Sequence, residues 1–503
     1  MNQQHPMDSI VIVGGGSAGW MTAAALAKNT NPALTQITLI ESSHIGTVSV
    51  GEATIPQIRQ FNNMLGIDED EFIRATSGTF KLGIQFLDWQ QRGSQYAHPF
   101  GPYGVNFYGV PFYHYYLRAQ TLKTPHPISA YNLEYHALNQ AKFARPDAHA
   151  SAIHKQLNYA YHFDATQYAD FLKTYAMQRG VIHIDDTVTA VTKHPDGSIN
   201  RLILKQHPEI QAPFYIDCSG FKGLLIEEAL HSGYEDWRDM LPCDSAIAQP
   251  SQCLADILPY TKATARDAGW QWQIPLQHRI GNGHVFSSRF MDTQTAIDQL
   301  AQHLPSPAVG DPREIHWQNG KRRAAWVHNV VAIGLSAGFI EPLESTGLQL
   351  VQAAIMRLLS LFPHQQINAL DVAQYNKHTN EEIDAIRDFV ILHYKATQRE
   401  DTEFWRYVKA MPIPDSLTHK IDMYQHTGRI IRNNNELFDE LSWFSVFHGQ
   451  GIAPDHYHPL ADNMSAQEMV GHMNNIQDAI ASTVASMPAQ QAYLQSNQLM
   501  PKA

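Results

Sequence analysis

Lys81 and Glu344 carry an amine and a carboxylate, two side-chain types that can take part in acid–base and nucleophilic chemistry. An amine can donate hydrogen bonds or act as a nucleophile, and a carboxylate can accept protons. Alternation places Phe80, Leu82 and Ile84 on one face of a predicted strand and Lys81 on the other. By this pattern alone, Lys81 is most simply a solvated lysine of an edge strand. Glu344 alone reads equally well as a carboxylate stabilised by a helix dipole, followed by a capping serine.

A glycine-rich turn near the start of the chain predicts a nucleotide site. Gly14, Gly16 and Gly19 form a G-x-G-x-x-G pattern between a predicted strand and a helix over 17–28. Such glycines let the backbone turn tightly against a pyrophosphate, and the helix directs N–H groups at its charge. Glu41 ends the next predicted strand, where its carboxylate can accept hydrogen bonds from a ribose. This order predicts a parallel α/β sheet; the competing interpretation is a glycine turn beside a surface glutamate.

A distant second segment favours FAD over NAD. A predicted strand over 330–334 leads through a turn into an apolar helix that begins near Leu348. This arrangement resembles the second FAD-contacting motif of flavin monooxygenases, and the stretch that begins at Asp217 resembles the strand and turn between the two motifs. The sequence has no second G-x-G-x-x-G unit for NAD(P)H. We therefore expect a separate flavin reductase to supply the reduced flavin.

Composition restricts the class of protein. The chain has 503 residues, 44% of them hydrophobic, which is enough for a large core and for more than one module. A net charge of −12 without a long Lys/Arg block argues against nucleic acid or a membrane as a partner. The three cysteines suit neither a disulfide framework nor a zinc site, and no apolar run reaches the roughly 18 residues of a membrane span. A soluble cytoplasmic enzyme for small molecules is expected. The sequence does not specify oligomeric state, and a homodimer is compatible with it.

The predicted architecture has two modules. Residues 1–365 form a discontinuous Rossmann-type FAD-binding α/β module of the flavin monooxygenase kind, with substrate-pocket insertions at about 90–150 and 225–320. Residues 366–503 are predicted to form a mainly helical module that caps the substrate. His448, His456 and His458 lack the spacing of metal ligands, so we expect loop histidines and no metal.

Trp270 and Trp272 lie in the segment W-Q-W-Q-I-P, which alternates as a half-buried strand should. By periodicity alone this segment is core. The pattern W-x-W-x-I-P, however, resembles the signature of the flavin-dependent tryptophan-halogenase family. Four further segments resemble that family, and the five together span residues from about 10 to 460: Gly51–Pro56, Phe80–Ile84, Glu341–Gly347 and Ser442–Pro459.

The resemblance implies an FADH2-dependent halogenase. In this family, reduced FAD, oxygen and halide (chloride or bromide) yield hypohalous acid, which reaches a separate substrate pocket. The resemblance assigns Lys81 to activation of the oxidant and Glu344 to uptake of the ring proton. It assigns halide binding to Thr346 and Gly347, and it places Trp270 and Trp272 beside the flavin, where their bulk keeps the organic substrate away. The alternative function is that of a flavin-dependent aromatic hydroxylase.

The fingerprint and the resemblance together imply the remaining site residues. The cofactor-binding residues are Gly14, Gly16, Ser17, Ala18, Gly19, Glu41, Gly51, Glu52, Ala53, Thr54, Val188, Asp217, Gly334 and Leu335. The residues expected in the substrate pocket are Ile55, Pro56, His98, Phe100, Ser345 and Trp443. His98 and Phe100 correspond to an aromatic sandwich that favours an indole ring. A structural histidine in an aromatic loop is an equally good interpretation of His98.

One segment departs from the family pattern. Family members that act on free tryptophan carry an insertion with a tyrosine pair, a glutamate and a Phe-Trp pair, which hold the polar end of the amino acid. The corresponding stretch, from Arg432 to Ser442, is shorter and has no tyrosine pair. Indole or another small electron-rich aromatic is therefore the expected substrate.

Overall fold

The computed structural model describes residues 7–44, 52–433 and 435–500 of the protein. Gly51, predicted to bind the cofactor, lies outside the described residues. The strands, in chain order, are β1 (Ser9–Val13), β2 (Gln36–Glu41), β3 (Glu52–Ala53), β4 (Thr79–Lys81), β5 (Gly83–Leu87), β6 (Gln95–Pro99), β7 (Ala160–Phe163), β8 (Ile182–Asp185), β9 (Val188–Lys193), β10 (Ile199–Leu204), β11 (Ile210–Gln211), β12 (Phe214–Asp217), β13 (Tyr234–Asp236), β14 (Ser245–Ala248), β15 (Thr261–Arg266), β16 (Gly269–Pro275), β17 (Ile280–Phe286), β18 (Arg313–His316), β19 (Gly320–Arg322), β20 (Trp326–Val327), β21 (Val330–Ala332) and β22 (Gly338–Phe339). The helices are α1 (Ser17–Asn29), α2 (Gln57–Leu65), α3 (Glu69–Ala75), α4 (Phe112–Thr121), α5 (Leu133–Leu138), α6 (Ala165–Met177), α7 (Thr293–Gln302), α8 (Gly347–Ser360), α9 (Ala369–Lys395), α10 (Glu403–Ala410), α11 (Asp415–Thr427), α12 (Glu440–Gly449), α13 (Ala466–Ser486) and α14 (Gln490–Ser496).

A six-stranded sheet of order β20-β21-β12-β1-β2-β8 carries the glycine-rich turn. All its neighbouring pairs are parallel except the edge pair of β20 and β21. Strand β1 is central, and its apolar residues Ile10 to Val13 are buried because helices cover the sheet. Helix α1 packs against α6 and α8. The predicted Rossmann-type α/β class is confirmed.

A second sheet, of order β18-β14-β17-β16-β15-β5-β6, was not predicted from the sequence. Its strands come from residues 83–99 and 245–316, so both predicted insertions contribute to it. Strand β16 carries Trp270 and Trp272 in its interior, between β15 and β17. The prediction of a half-buried strand was wrong here, since Gln271 is buried as well as both tryptophans. Strands β14 and β17 of this sheet are buried along their whole length.

The apolar run around Lys81 is two strands, and the single predicted strand was wrong. Strand β4, which ends at Lys81, pairs with β7 in a small sheet that also contains β3. Strand β5 begins at Gly83 and belongs to the seven-stranded sheet. Lys81 therefore lies where the chain passes from one sheet to the other. Its side chain is completely buried.

The chain after α8 is mainly helical, as predicted, with α9 the longest helix of the described residues at 27 residues. Helix α9 packs against α8, α10, α11 and α12, and α12 packs against β6. These helices thus connect the second sheet with the FAD-type module. In the described segments, no helix combines the length and the apolar character that a membrane crossing needs.

Candidate active site

The glycine-rich turn forms a cradle suited to a phosphate group. Gly14 has φ +115°, and a Cβ atom there would collide with the carbonyl oxygen of Cys218. A Cβ at Gly19 would collide with the carbonyl oxygen of Gly14, so α1 packs closely on the turn. Within the described residues, no side chain caps the first turn of α1, which contains Ser17 and no acidic residue. The N–H groups of this turn suit a pyrophosphate.

Glu41 is held in place at the end of β2. Its Oε1 atom lies 2.8 Å from Nζ of Lys173 and 2.8 Å from Nε2 of His183. The carboxylate lies against the backbone of Gly15, where a Cβ atom would collide with it. This position beside the phosphate cradle suits a carboxylate that accepts hydrogen bonds from a ribose.

The two predicted FAD motifs adjoin each other. Gly334 has φ +79°, and a Cβ atom there would lie 2.8 Å from Cβ of Ala18 in the first turn of α1. Asp217 ends β12 between them, but its carboxylate is engaged within the protein. It accepts N–H hydrogen bonds from Ser219 at 2.9 Å and from Leu225 at 2.7 Å. Asp217 therefore shapes the turn after β12.

The remaining predicted cofactor residues lie on short elements. Leu335 is in a 3-10 turn, Gly334–Ser336, Val188 begins β9, and Glu52 and Ala53 form β3. Burial, reinforced by the charge of Asp164, raises the pKa of Glu52 to about 7. Thr54 follows β3 directly, and its carbonyl accepts a hydrogen bond from Lys81.

Trp270 is fixed by a buried glutamate. Its Nε1 donates to Oε1 of Glu341 at 2.9 Å, and the hydroxyl of Tyr394 donates to the same oxygen at 2.5 Å. Burial raises the pKa of Glu341 to about 7 despite both hydrogen bonds. The rings of Trp270 and Trp272 are 6.2 Å apart. The orientation of the predicted flavin-side tryptophan is thus set by Glu341.

The amine of Lys81 donates hydrogen bonds to two distant parts of the chain. Its Nζ donates to the carbonyl of Thr54 at 2.9 Å and to Oγ of Ser345 at 2.8 Å, and it lies 5.2 Å from the centre of the Phe100 ring. Burial lowers the pKa of Lys81 to about 7, although the negative charge of Glu344 opposes the shift. The interpretation of a solvated edge-strand lysine is wrong, because the side chain is fully buried.

Glu344 lies between two histidines. Nδ1 of His98 is 2.8 Å from Oε2, and Nε2 of His393 is 2.7 Å from Oε1, although the His393 nitrogen is out of line for an ideal hydrogen bond. Burial favours the neutral acid, but the two histidines outweigh it and lower the pKa of Glu344 to about 2. The carboxylate is therefore charged throughout the neutral range.

The turn that carries Glu344 leads directly into α8. Ser345 has φ +59°, a left-handed conformation that is costly for a serine. Its hydroxyl accepts from Lys81 and does not cap α8. Thr346 is buried, and its hydroxyl has no partner in the part of the chain that the structure describes. A Cβ at Gly347 would meet no described atom within 4 Å, so there is space at the start of α8.

Aromatic side chains surround His98. The ring of Phe389 lies 5.6 Å from His98 and that of Phe438 lies 5.9 Å away, and Phe389 and Phe438 stack at 3.9 Å. Trp443, on α12, meets Phe389 edge-on at 4.9 Å. Phe100 is 6.5 Å from His98 on the side toward Lys81. His98 thus bridges an aromatic cluster and a charged carboxylate.

Comparisons with known proteins agree with this arrangement. The family profile described as "Tryptophan halogenase" matches residues 9–466. The chain belongs to the tryptophan halogenase family. This halogenase is 34% identical over 536 residues to a tryptophan 6-halogenase, SttH, of Streptomyces toxytricini, with 98% of both chains covered. It is 33% identical to RebH, a tryptophan 7-halogenase of Lentzea aerocolonigenes, with 96% of this chain and 97% of the relative covered.

Solved structures give the same result. A flavin-dependent halogenase from Xanthomonas campestris superimposes with a TM-score of 0.95 at 42% identity, covering 99% of each chain. BrvH, a flavin-dependent halogenase from Brevundimonas sp., superimposes with a TM-score of 0.94 at 42% identity, covering 98% of this chain and 99% of that one. The present enzyme is accordingly a flavin-dependent halogenase that uses FAD. The hydroxylase alternative is not favoured.

The fold of the halogenase brings most of the predicted substrate-side residues together. Lys81, Glu344, Ser345, His98 and Phe100 form one connected cluster, and Ile55 and Pro56 follow the Thr54 carbonyl that holds Lys81. Trp443 joins this cluster through Phe389.

Sequence reasoning missed the buried residues behind the turn that carries Glu344. His393 contacts Glu344 from α9, and Tyr394 and Glu341 hold Trp270. Phe438, which lies 5.9 Å from His98, belongs to the segment that lacks the tyrosine pair, and no sequence pattern predicted this contact. The only sequence signal for His393 and Tyr394 was the presence of a histidine and a tyrosine in the apolar stretch near the end of α9.

Proposed function

We propose that this halogenase substitutes a ring hydrogen of an electron-rich aromatic such as indole, with hypohalous acid as oxidant and Lys81 and Glu344 as catalytic residues. The observation that carries the proposal is that Nζ of Lys81 donates a hydrogen bond to Oγ of Ser345, the residue next to Glu344. A buried amine is thereby held against the turn that carries the buried carboxylate. The net reaction converts hypohalous acid and the arene into haloarene and water.

The cofactor site and the halide site are proposed at two helix N-termini. Reduced FAD, when bound, supplies hypohalous acid from oxygen and halide. The first turn of α1 and Glu41 suit its pyrophosphate and ribose. The start of α8, with the unpartnered Thr346 hydroxyl of the described chain and the space beside Gly347, suits a chloride or bromide ion.

Lys81 has two routes to activate the oxidant. The protonated amine donates a hydrogen bond to the oxygen of hypohalous acid and makes the halogen more electrophilic. The neutral amine instead takes the halogen, forming an N–halogen bond as water leaves, and is regenerated when the halogen passes to the ring. A pKa of about 7 makes both forms available near neutral pH.

Glu344 is suited to stabilise and deprotonate the ring cation. When the carbon–halogen bond forms, the ring becomes positively charged and strongly acidic. A charged carboxylate stabilises this cation and then takes its proton. The low pKa of Glu344 ensures that it is ionised, and it remains an adequate base because the ring cation is a much stronger acid.

Indole is favoured over free tryptophan as the substrate. The short segment between α11 and α12 carries Glu436, whose carboxylate oxygens lie 2.7 and 2.9 Å from Nζ of Lys420. Its charge is already paired and is not free for a substrate ammonium group. Phe438 in the same segment extends the aromatic cluster instead.

The proposal is tested by mass spectrometry of reactions with the purified enzyme, FAD, a separate flavin reductase, NADH, oxygen and either chloride or bromide. We expect halogenated indole, less product from tryptophan, and none without the reductase or a chemical source of FADH2. Hydroxylated product independent of halide would establish the hydroxylase alternative. Preference for tryptophan over indole would contradict the substrate assignment alone.

A further inference from the structure

Two consecutive residues near the end of α9 contact the two glutamates, Glu341 and Glu344, at the ends of the short turn before Ser345. Nε2 of His393 lies 2.7 Å from Oε1 of Glu344, and the hydroxyl of Tyr394 lies 2.5 Å from Oε1 of Glu341. The two glutamates flank the short turn that precedes Ser345. Helix α9 therefore supports this turn from behind at both ends.

The ring of His393 is itself fixed by a chain of donors. The Gln450 amide donates to the Tyr96 hydroxyl oxygen at 3.3 Å and to the backbone carbonyl of His393 at 2.9 Å. Because an amide nitrogen only donates, the Tyr96 oxygen is the acceptor, and its own proton is directed to Nδ1 of His393 at 2.9 Å. With Nδ1 as the acceptor, the ring proton lies on Nε2, which is 2.7 Å from Oε1 of Glu344 but out of line with it. Stacking on Phe86 at 4.7 Å holds the ring plane.

The two histidines of Glu344 have different surroundings. His98 meets Oε2 from the side of Phe100 and the proposed substrate pocket. His393 meets the other oxygen, Oε1, and is completely buried, with the rings of Phe86 on β5 and Tyr96 on β6 nearly parallel to its own. The ring contacts of His393 are thus with buried residues, whereas His98 also faces Phe100.

We propose that His393 is a positioning residue, whose Nε2, in close contact with Oε1 at 2.7 Å, holds the Glu344 carboxylate in a fixed orientation and in the charged form during halogenation. This inference rests on the proposed function of Glu344. It adds a second, substrate-independent partner for the carboxylate, assigned through the Gln450–Tyr96–His393 chain. His393 acts through Glu344 and does not touch the substrate.

The charges around Glu344 agree with this role. The titratable groups that face it are His98 and Tyr96 from β6, Lys81 from β4 and His393 from α9. Burial would raise the pKa of Glu344, and the two histidines together reverse the effect. Burial also lowers the pKa of His393, which keeps the ring neutral with a single proton. Loss of His393 should therefore raise the pKa of Glu344.

The test compares His393→Phe, which removes both ring nitrogens, with His393→Gln, which keeps a neutral donor. Tyr375→Phe is the matched control, because Tyr375 is a buried tyrosine of the same helix whose hydroxyl meets the backbone of α8. Steady-state halogenation of indole is followed across pH. The protonated carboxyl group of Glu344 is followed by infrared spectroscopy as the pH of the resting enzyme is varied. The band that disappears in Glu344→Gln is assigned to this group.

For His393→Phe we expect kcat to fall about 10- to 100-fold, with KM for indole changed less than about twofold. The acid limb of the kcat–pH profile and the titration midpoint of the Glu344 carboxyl band should both move to higher pH. His393→Gln should recover part of kcat, and Tyr375→Phe should match the wild type. The inference would be overturned if His393→Phe left both the acid limb and the titration midpoint unchanged. It would also be overturned if Tyr375→Phe lost as much kcat as His393→Phe. If the wild type halogenates no aromatic, the proposed function fails, and the infrared titration still decides whether His393 controls Glu344.

Discussion

Replacement of Lys81 by methionine should abolish halogenation and at the same time stabilise the protein at neutral pH. Burial lowers the pKa of Lys81 from 10.5 to about 7. Because each pKa unit is worth about 1.4 kcal/mol, the buried amine costs the folded state about 4 kcal/mol at pH 7. Methionine has a similar length and no charge, so it removes this cost. The carbonyl of Thr54 and the hydroxyl of Ser345 each lose one donor, at about 1 kcal/mol apiece.

The expected net gain in the free energy of unfolding of Lys81→Met is therefore about 2 kcal/mol at pH 7. The gain depends on pH because the folded protein releases the Lys81 proton near pH 7 and the unfolded chain keeps it up to about pH 10.5. Wild-type stability should thus rise relative to that of the variant over this range, and the sign of the difference should reverse near its upper end. Halogenation should fall by at least about a thousandfold.

Denaturant unfolding of both proteins at pH 7 and at about pH 10, with mass spectrometry of halogenated indole and a titration of FAD affinity, checks these outcomes. The exposed Lys155→Met is the control and should alter none of them. A Lys81→Met protein that is destabilised equally at both pH values would refute the burial argument. Retained halogenation would remove Lys81 from the mechanism.

Three further substitutions test the other parts of the site. Glu344→Gln should lower kcat about 100-fold or more with FAD affinity unchanged, because an amide accepts no ring proton; an unchanged kcat would contradict that role. Gly14→Ala should weaken FAD binding, measured by flavin fluorescence, by at least about tenfold, because its Cβ would collide with the backbone; Gly471→Ala in α13, where a Cβ meets no described atom within 4 Å, is the control. Thr346→Val should raise KM for halide at constant FAD affinity, whereas a more stable protein with unchanged KM would mean that the hydroxyl does not bind halide.

The nucleotide-binding part of the fold was predictable because its signal is local. The glycine pattern, the strand before it and the helix after it are contiguous, and Glu41 follows at the end of the next strand. The tryptophans of β16 and the turn around Glu344 were likewise found by their residue patterns. The break at Leu82 was not predicted, since alternation continues unchanged from β4 into β5 while the two strands pair with different partners.

The sequence by itself therefore determined the FAD-type module and the candidate pair of Lys81 and Glu344. Only the tertiary structure decided the chemical state of that pair. The contacts concerned join residues far apart in the chain: Lys81 and Ser345 are separated by 264 positions, and His98 and Glu344 by 246. Burial acts on both groups, but it lowers the pKa of the amine, while the histidines lower that of the carboxylate. These opposing effects of desolvation and close charges depend on three-dimensional packing, which no local pattern of residues contains.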